Sequence, residues 1–286
     1  MNKHKCCALN SFFTRNILRH LIKDYSDDIY KSVIKRYISS PSKKTNGELI
    51  SEIYSELKDN YRNEYFYKNT LLNKLLLGVH SVNTTTALTE IPIANSKADF
   101  ILINGKAVVY EIKTELDNLD RLPSQINDYY KAFDHVAVVT HKDNVDKLKG
   151  ILDEINKPVG ILILLKDGTL RTVREPGKYS KGLNKETMFK VLRKNEFEQI
   201  IKKQVGELPK VGQFEYYSAC RKQFLKIPIK ESYQHLIELL KTRTRIEKEE
   251  FAKVPYELKF LSYFMKLKKK DYLKLRTFLN KQFGGV

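Results

Sequence analysis

The sequence predicts a mixed α/β protein, a sheet sandwiched by helices with further helical regions at both ends of the chain. Three observations lead there. Apolar stretches of strand character alternate with stretches of helical period through the middle of the chain. Two turn signals, Asn104-Gly105 and Lys166-Asp167-Gly168, each join two of those strands as a hairpin. The excess positive charge is also lopsided: from Arg174 onward there are 27 Lys and Arg against 13 Asp and Glu, so +14 of the net +18 lies beyond the strand-rich part.

The elements follow in order. Residues 9–39 carry apolar positions at helical spacing (Phe12, Phe13, Ile17, Leu18, Leu21, then Ile29, Val33, Ile34, Tyr37), and Asp27-Asp28 place negative charge where a second helix starts. Ser39-Ser40-Pro41-Ser42 ends that unit. A long helix is expected over 48–77, then a loop at Asn83 to Thr86. Strands are expected at 88–93, 98–103 and 107–113, a helix at 119–133, a strand at 135–140, a helix at 144–155, and strands at 159–165 and 169–173. Glu175 to Gly182 is rich in Gly and Pro and reads as a linker or long loop. Past 183 the pattern is helical and aromatic-rich, broken at Pro209, Pro228 and Pro255. Three regions result: an N-terminal helical extension (1–45), an α/β core (46–175) and a basic C-terminal helical domain (176–286).

Composition narrows the class. A hydrophobic fraction of 42% with 11% aromatics excludes a disordered or fibrous chain. The longest apolar run, Val159 to Leu165, is far too short for a bilayer span. Lys3 and Lys5 precede an apolar patch, Cys6 to Leu9, that is too short for a signal-peptide core. Three cysteines, two of them adjacent, make neither a disulfide framework nor a zinc spacing. A reduced, cytoplasmic protein with no membrane attachment is expected. The net charge favours a polyanionic partner, nucleic acid above all, and no glycine-rich loop suits a nucleotide's phosphates.

One constellation carries chemistry. Asp99 lies on the second strand, and Glu111-Ile112-Lys113 ends the third. In an alternating strand Glu111 and Lys113 share a face. Their neighbours, Phe100 to Ile103 and Ala107 to Tyr110, are built for burial, where unpartnered charge is expensive. A metal ion bridging the two carboxylates would offset that cost. Carboxylate oxygens, waters and a phosphate oxygen suit Mg²⁺, and the chemistry such a site supports is phosphodiester hydrolysis. Lys113 would hold the attacking water or the charge that develops on the phosphate. Glu64 on the preceding helix would add a ligand, directly or through water. Its bland alternative is an i,i+4 partner on a solvated helix face. Glu90 and Glu115 are acidic neighbours of the site, and Tyr129 and Tyr130 read as packing or rim residues.

These residues resemble the PD-(D/E)XK nuclease superfamily, with its restriction-endonuclease-like fold. The likeness rests on Asp99, the Glu111-x-Lys113 tripeptide on a hairpin, Glu64 upstream and Gln125 on the following helix, over about residues 50–141. Ala98 stands where the motif has proline. The resemblance implies divalent-metal-dependent cleavage of DNA, less often RNA. It makes Asp99 and Glu111 metal ligands with Glu64 as a third, Lys113 the catalytic lysine and Gln125 a member of the site. Mg²⁺ is the implied cofactor, with Mn²⁺ as a substitute. It reads most like a bacterial branch, where a role in defence against foreign DNA would fit, and a homodimer is compatible with it.

Geometry sets a condition. A two-residue turn at Asn104-Gly105 pairs position 99 with 110 and sends the two carboxylates to opposite faces. A three-residue loop ending in Gly105 pairs 99 with 109 and keeps them together, so a bulged turn is expected, or a strand end at Asp99 that twists its side chain round. In the C-terminal region Arg221, Lys222, Lys241, Arg243, Arg245, Lys268 and Lys269 are the expected contacts to the phosphate backbone. The rival readings are a non-catalytic nucleic-acid-binding adaptor built on a degenerate nuclease core, and a nuclease directed at RNA.

Overall fold

A computed structural model describes residues 9–79 and 81–284; Lys3, Lys5, Cys6 and Cys7, which bear on the N-terminal reading, lie outside the described residues. The chain divides into two compact units that do not follow the boundaries at 45 and 175. One holds the residues up to 82, 165–170 and those from 244 on; the other holds 83–164 and 171–243.

In the first unit a helical turn at 9–12 is followed by α1 (Arg15–Asp24) and α2 (Asp28–Tyr37), each started by a side-chain cap. Asp27 accepts the backbone N–H groups of Ile29 and Tyr30, which is why the Asp27-Asp28 pair marks a helix start. Thr45 and Glu48 form a reciprocal capping box at the head of α3 (Asn46–Asn60). The single helix expected over 48–77 is instead α3, a break at 61–63, α4 (Glu64–Leu71) and a π-helical stretch, Leu72–Val79. The break follows from Asn63, whose side chain accepts the N–H of Phe66 and caps a new helix.

The second unit is organised by a six-stranded sheet in sequence order: β1 (Thr86–Ile93), β2 (Ser96–Asn104), β3 (Lys106–Ile112), β4 (His135–Thr140), β5 (Gly160–Leu164) and β6 (Leu170–Arg174). β1, β2 and β3 form an antiparallel meander, while β4 and β5 run parallel to β3. Parallel neighbours need crossovers, and α5 (Leu122–Tyr129) and α6 (Val145–Ile155) supply them. Ile101, Ile103, Val109, Val136, Val138 and Ile161 pack with Ile126, Tyr129 and Leu148 in one apolar cluster. The alternate positions Phe100, Leu102, Val108, Tyr110, Ala137 and Leu162 are buried as well. Burial on both faces explains why these strands read as continuous apolar runs.

Glu175 to Gly182 is an ordered strap rather than a linker. Gly177 N–H donates to the Pro158 carbonyl at 2.9 Å and Tyr179 N–H to that of Asp134 at 2.8 Å. A Cβ on Gly160 would lie 2.8 Å from Pro176, and one on Gly177 2.7 Å from Pro158. The glycines are there for close approach of two chain segments, a use that composition does not separate from flexibility.

The basic region beyond 176 is likewise not one domain. Helices α7 (Lys185–Val191), α8 (Lys194–Val205), α9 (Gln213–Phe224) and α10 (Ile229–Lys241) join the sheet's own core through Phe189, Ile200, Phe224 and Leu236. The last helices, α11 (Lys248–Ala252), α12 (Lys259–Phe264) and α13 (Lys269–Asn280), belong to the first unit. There the Asn46 amide donates to the carbonyls of Phe278 and Lys281 at 2.9 and 3.0 Å. Asn69 accepts from Phe260 N–H, and the Tyr65 hydroxyl donates to the Glu257 carbonyl. Helical periodicity shows that a face is buried, not which distant helix covers it. Among the described residues no helix is long and apolar enough to cross a membrane.

Candidate functional site

The β2–β3 hairpin pairs Phe100 with Tyr110, Ile103 with Ala107 and Asn104 with Lys106, leaving Gly105 alone at the tip with φ +68°. The turn is therefore neither of the two alternatives. Continued by one residue, this register sets Asp99 across from Glu111 rather than 109. A shift of two residues preserves the face, so both carboxylates still lie on the side where α5 packs. The ladder ends at Phe100–Tyr110, and beyond it the Asp99 carboxylate accepts the Ile112 N–H at 2.8 Å. A side chain replaces the strand there as acceptor and brings Asp99 against the end of β3.

Glu111 is 1% exposed. One of its oxygens accepts from the Tyr129 hydroxyl at 2.5 Å, and the other lies 2.9 Å from the Lys113 ammonium. Lys113, 8% exposed, also donates to Gln125 Oε1 at 2.9 Å. Four residues expected at the site thus converge: Asp99, Glu111 and Lys113 from the strands, and Gln125 from α5. The end of β3 is held rigidly, since Lys113 N–H donates to the Val139 carbonyl and the Thr140 hydroxyl to the Lys113 carbonyl. Burying such a pair is tolerable only with this full set of partners.

Tyr129 is the member that sequence reasoning assigned to packing. Burial, then the charge of Glu111 and the bond to it, then the charge of Asp99, push its phenol far above the ordinary value. It stays a neutral donor. Gln125 and Tyr129 are four apart on α5 and so share a face, which is the signal that would have placed both at the site. α5 is itself fixed to the β1–β2 turn by Asp128, which accepts from Ser96 Oγ at 2.8 Å and from Asn95 N–H at 3.1 Å.

Glu90 is closer to the site than its sequence position implied. The β1–β2 ladder runs through Thr89–Phe100 and resumes at Ile91–Ala98, skipping the pair between. Glu90 sits there at φ +57°, in the left-handed region, a conformation that costs a non-glycine residue about 1 kcal/mol or more. Its carboxylate and that of Asp99 bring oxygens within 4.8 Å of each other, and Glu90 also pairs with Lys97.

The remaining expected residues are placed as follows. Glu64 lies in the first unit, in the first turn of α4, where it pairs with Lys68 at 2.5 Å as an i,i+4 partner. Arg221 is engaged by Glu186 through two guanidinium nitrogens. Arg243 is inside the protein: its side chain and that of Glu196 are each 6% exposed, and it also donates to the Val191 carbonyl at 2.7 Å. Both arginines are structural ion pairs rather than open phosphate contacts. Lys222, Lys241, Arg245, Lys268 and Lys269 are exposed. Lys222 and Lys241 belong to the second unit and the other three to the first.

A family described as bacteriophage P4 protein cII matches residues 57–261, well over half of the chain. The chain belongs to that family. In this member of the P4 protein cII family, the matched segment contains the whole β1–β5 region and every residue of the Asp99–Glu111–Lys113–Gln125–Tyr129 cluster. No curated protein and no solved structure matches the chain.

Proposed function

We propose that this member of the P4 protein cII family is a divalent-metal-dependent nuclease that hydrolyses phosphodiester bonds, DNA ahead of RNA, with a restriction-endonuclease-like core of the PD-(D/E)XK kind. The observation that carries the reading is the meeting of Asp99, Glu111, Lys113 and Gln125 at the point where β2 and β3 part. The net charge of +18 fits a polyanionic substrate.

The donor set suits a hard dication. Asp99 and Glu111 are oxygen donors, and an ionised carboxylate offers about four acceptor positions. Tyr129 and Lys113 take one on each oxygen of Glu111, which leaves capacity on both. Asp99 and Glu111 would hold Mg²⁺ or Mn²⁺, which when bound supplies Lewis-acid polarisation of the phosphate and an acidified water. Lys113, steadied from two sides by Glu111 and Gln125, has a third N–H to direct at the attacking water or a phosphate oxygen. Tyr129 fixes the rotamer of Glu111. Carbonyl and hydroxyl bonds at the end of β3 hold the spacing of Glu111 and Lys113 while substrate exchanges.

A second reading has its own observation. Glu111 is fully buried and satisfied on both oxygens by this chain, as a structural ion pair in a non-cutting, nucleic-acid-binding adaptor would be. Incubating supercoiled plasmid, single-stranded DNA and RNA with Mg²⁺, Mn²⁺, Ca²⁺ or chelator separates the two. The nuclease reading expects cutting of DNA with Mg²⁺ or Mn²⁺ and none with chelator. Salt-sensitive binding with no cutting in any metal would establish the adaptor instead.

A further inference from the structure

We propose that the outer face of α9 is a stacking platform for single-stranded nucleic acid, with Phe214 and Tyr217 as the surfaces on which unpaired bases lie. The inference takes nucleic acid as the ligand from the reading above and adds which form of it is bound and where. Phe214 is 104% exposed, as open as a side chain can be. An isolated exposed apolar residue is ordinary; here it is an entire ring at the head of a helix, with a second ring one turn on. Tyr217, 51% exposed, is three residues further on the same face. Its ring is not loose. It packs against Phe189 at 5.2 Å and Phe197 at 6.0 Å between centroids, so one side of it is held by the core while half of the residue faces solvent.

Charge around the platform selects the ligand. The segment from Lys185 to Phe224 carries nine Lys and Arg against five Asp and Glu. Four of those acids are already engaged: Glu186 with Arg221, Glu196 with Arg243, Glu198 with the Tyr216 hydroxyl and Glu207 with Lys210. Lys190 and Lys222 are exposed, and Lys194 lies over the Tyr216 ring at 5.2 Å and within 4.0 Å of Glu198. The fifth acid, Glu215, is exposed beside Phe214, so the segment's excess of four cations remains. Open aromatic faces set among cations bind a phosphate backbone and stack its bases without reading sequence. Duplex DNA keeps its bases stacked internally and has none to give, so the platform distinguishes strands. A second copy of the chain is the competing occupant; a patch with this excess of cations would meet an identical cationic patch.

The chain contains no tryptophan, so Phe214→Trp installs a single reporter at a site where the wild-type ring touches solvent. In chelator, where no cutting occurs, its fluorescence should be quenched by oligo(dT) and little changed by a duplex of equal length. Phe214→Ala should weaken oligo(dT) binding by about 5- to 150-fold, the range that one lost base stack gives, and duplex binding by less than about 2-fold. Unquenched fluorescence of the Phe214→Trp protein together with unchanged oligo(dT) affinity in Phe214→Ala would overturn the proposal. So would a concentration-dependent dimer that Phe214→Ala dissolves, since the face would then be a contact between copies. Because binding is read without a divalent ion, failure here leaves the nuclease reading standing, and absence of cutting leaves this one standing.

Discussion

Tyr129→Phe isolates one contact of the cluster. The ring of Tyr129 is fully buried and belongs to the sheet's apolar core, and phenylalanine keeps that packing. What disappears is the hydroxyl, which donates to Glu111 at 2.5 Å and lies 3.1 Å from the Lys97 carbonyl. A hydrogen bond to a charged acceptor contributes about 1.5–3 kcal/mol, and a buried carboxylate left short of a donor incurs its desolvation cost. We expect a loss of about 2 kcal/mol, which at a urea dependence of roughly 3 kcal/mol per M lowers the midpoint by about 0.7 M. Cutting should fall about tenfold or more, because Glu111 loses the group that sets its rotamer. The matched control is Tyr233→Phe, which removes a comparable 2.5 Å bond to Asp134. It should cost similar stability and leave cutting intact. Were Tyr129→Phe to match the parent in both urea midpoint and rate, the hydroxyl would have no part in holding Glu111.

Other changes follow from the same geometry. Arg243→Met strands Glu196 inside the protein, a loss on the order of 3–5 kcal/mol in thermal or urea unfolding; a change under about 0.5 kcal/mol would mean the pair is not buried in solution. Acid stability has a definite sign. Burial raises the carboxyl of Glu196, but bonds from Arg243 and the Arg193 N–H outweigh it and hold the group below the usual range. Asp128 is likewise held down, against the effect of burial, by Lys131, Ser96 and the Asn95 N–H. Stability linked to these groups is complete above the unfolded carboxylate value of about 4 and drains away as pH falls through the lower folded values. Urea midpoints measured between pH 7 and pH 2 should show this, and Glu196→Gln should flatten the acid limb. Gly177→Ala places a methyl 2.7 Å from Pro158 and should cost about 1–3 kcal/mol. No cost would mean that the 175–182 segment is a loose linker after all.

The strands were legible because each satisfies a local rule. Apolar runs bounded by turn residues located all six, to within two residues at each end. The shared face of Asp99 and Glu111 was legible too, although the register was not: local rules for Asn-Gly favour two- or three-residue loops, whereas Gly105 stands alone at the tip. Tyr129 was hidden because a phenol on an apolar helix face looks the same whether it fills space or donates inward. Arg243 was misread for the opposite reason. In a Lys/Arg-rich stretch nothing local shows that Glu196, 47 residues earlier, neutralises it. The division of the C-terminal region between two units is a long-range choice of the same kind, made by carbonyl partners such as Phe278 and Lys281 that only Asn46 reveals.

In the proposed nuclease the carboxylate of Glu111 takes part in breaking a nucleotide chain. Glu111→Gln keeps the shape of the side chain and its capacity to accept from Tyr129 while removing the charge, so single-turnover plasmid cleavage in Mg²⁺ is the direct measurement, with low-salt DNA binding followed in parallel. Cutting should be lost by about a hundredfold or more while binding stays within about twofold. Cutting by Glu111→Gln at the parental rate would contradict that role.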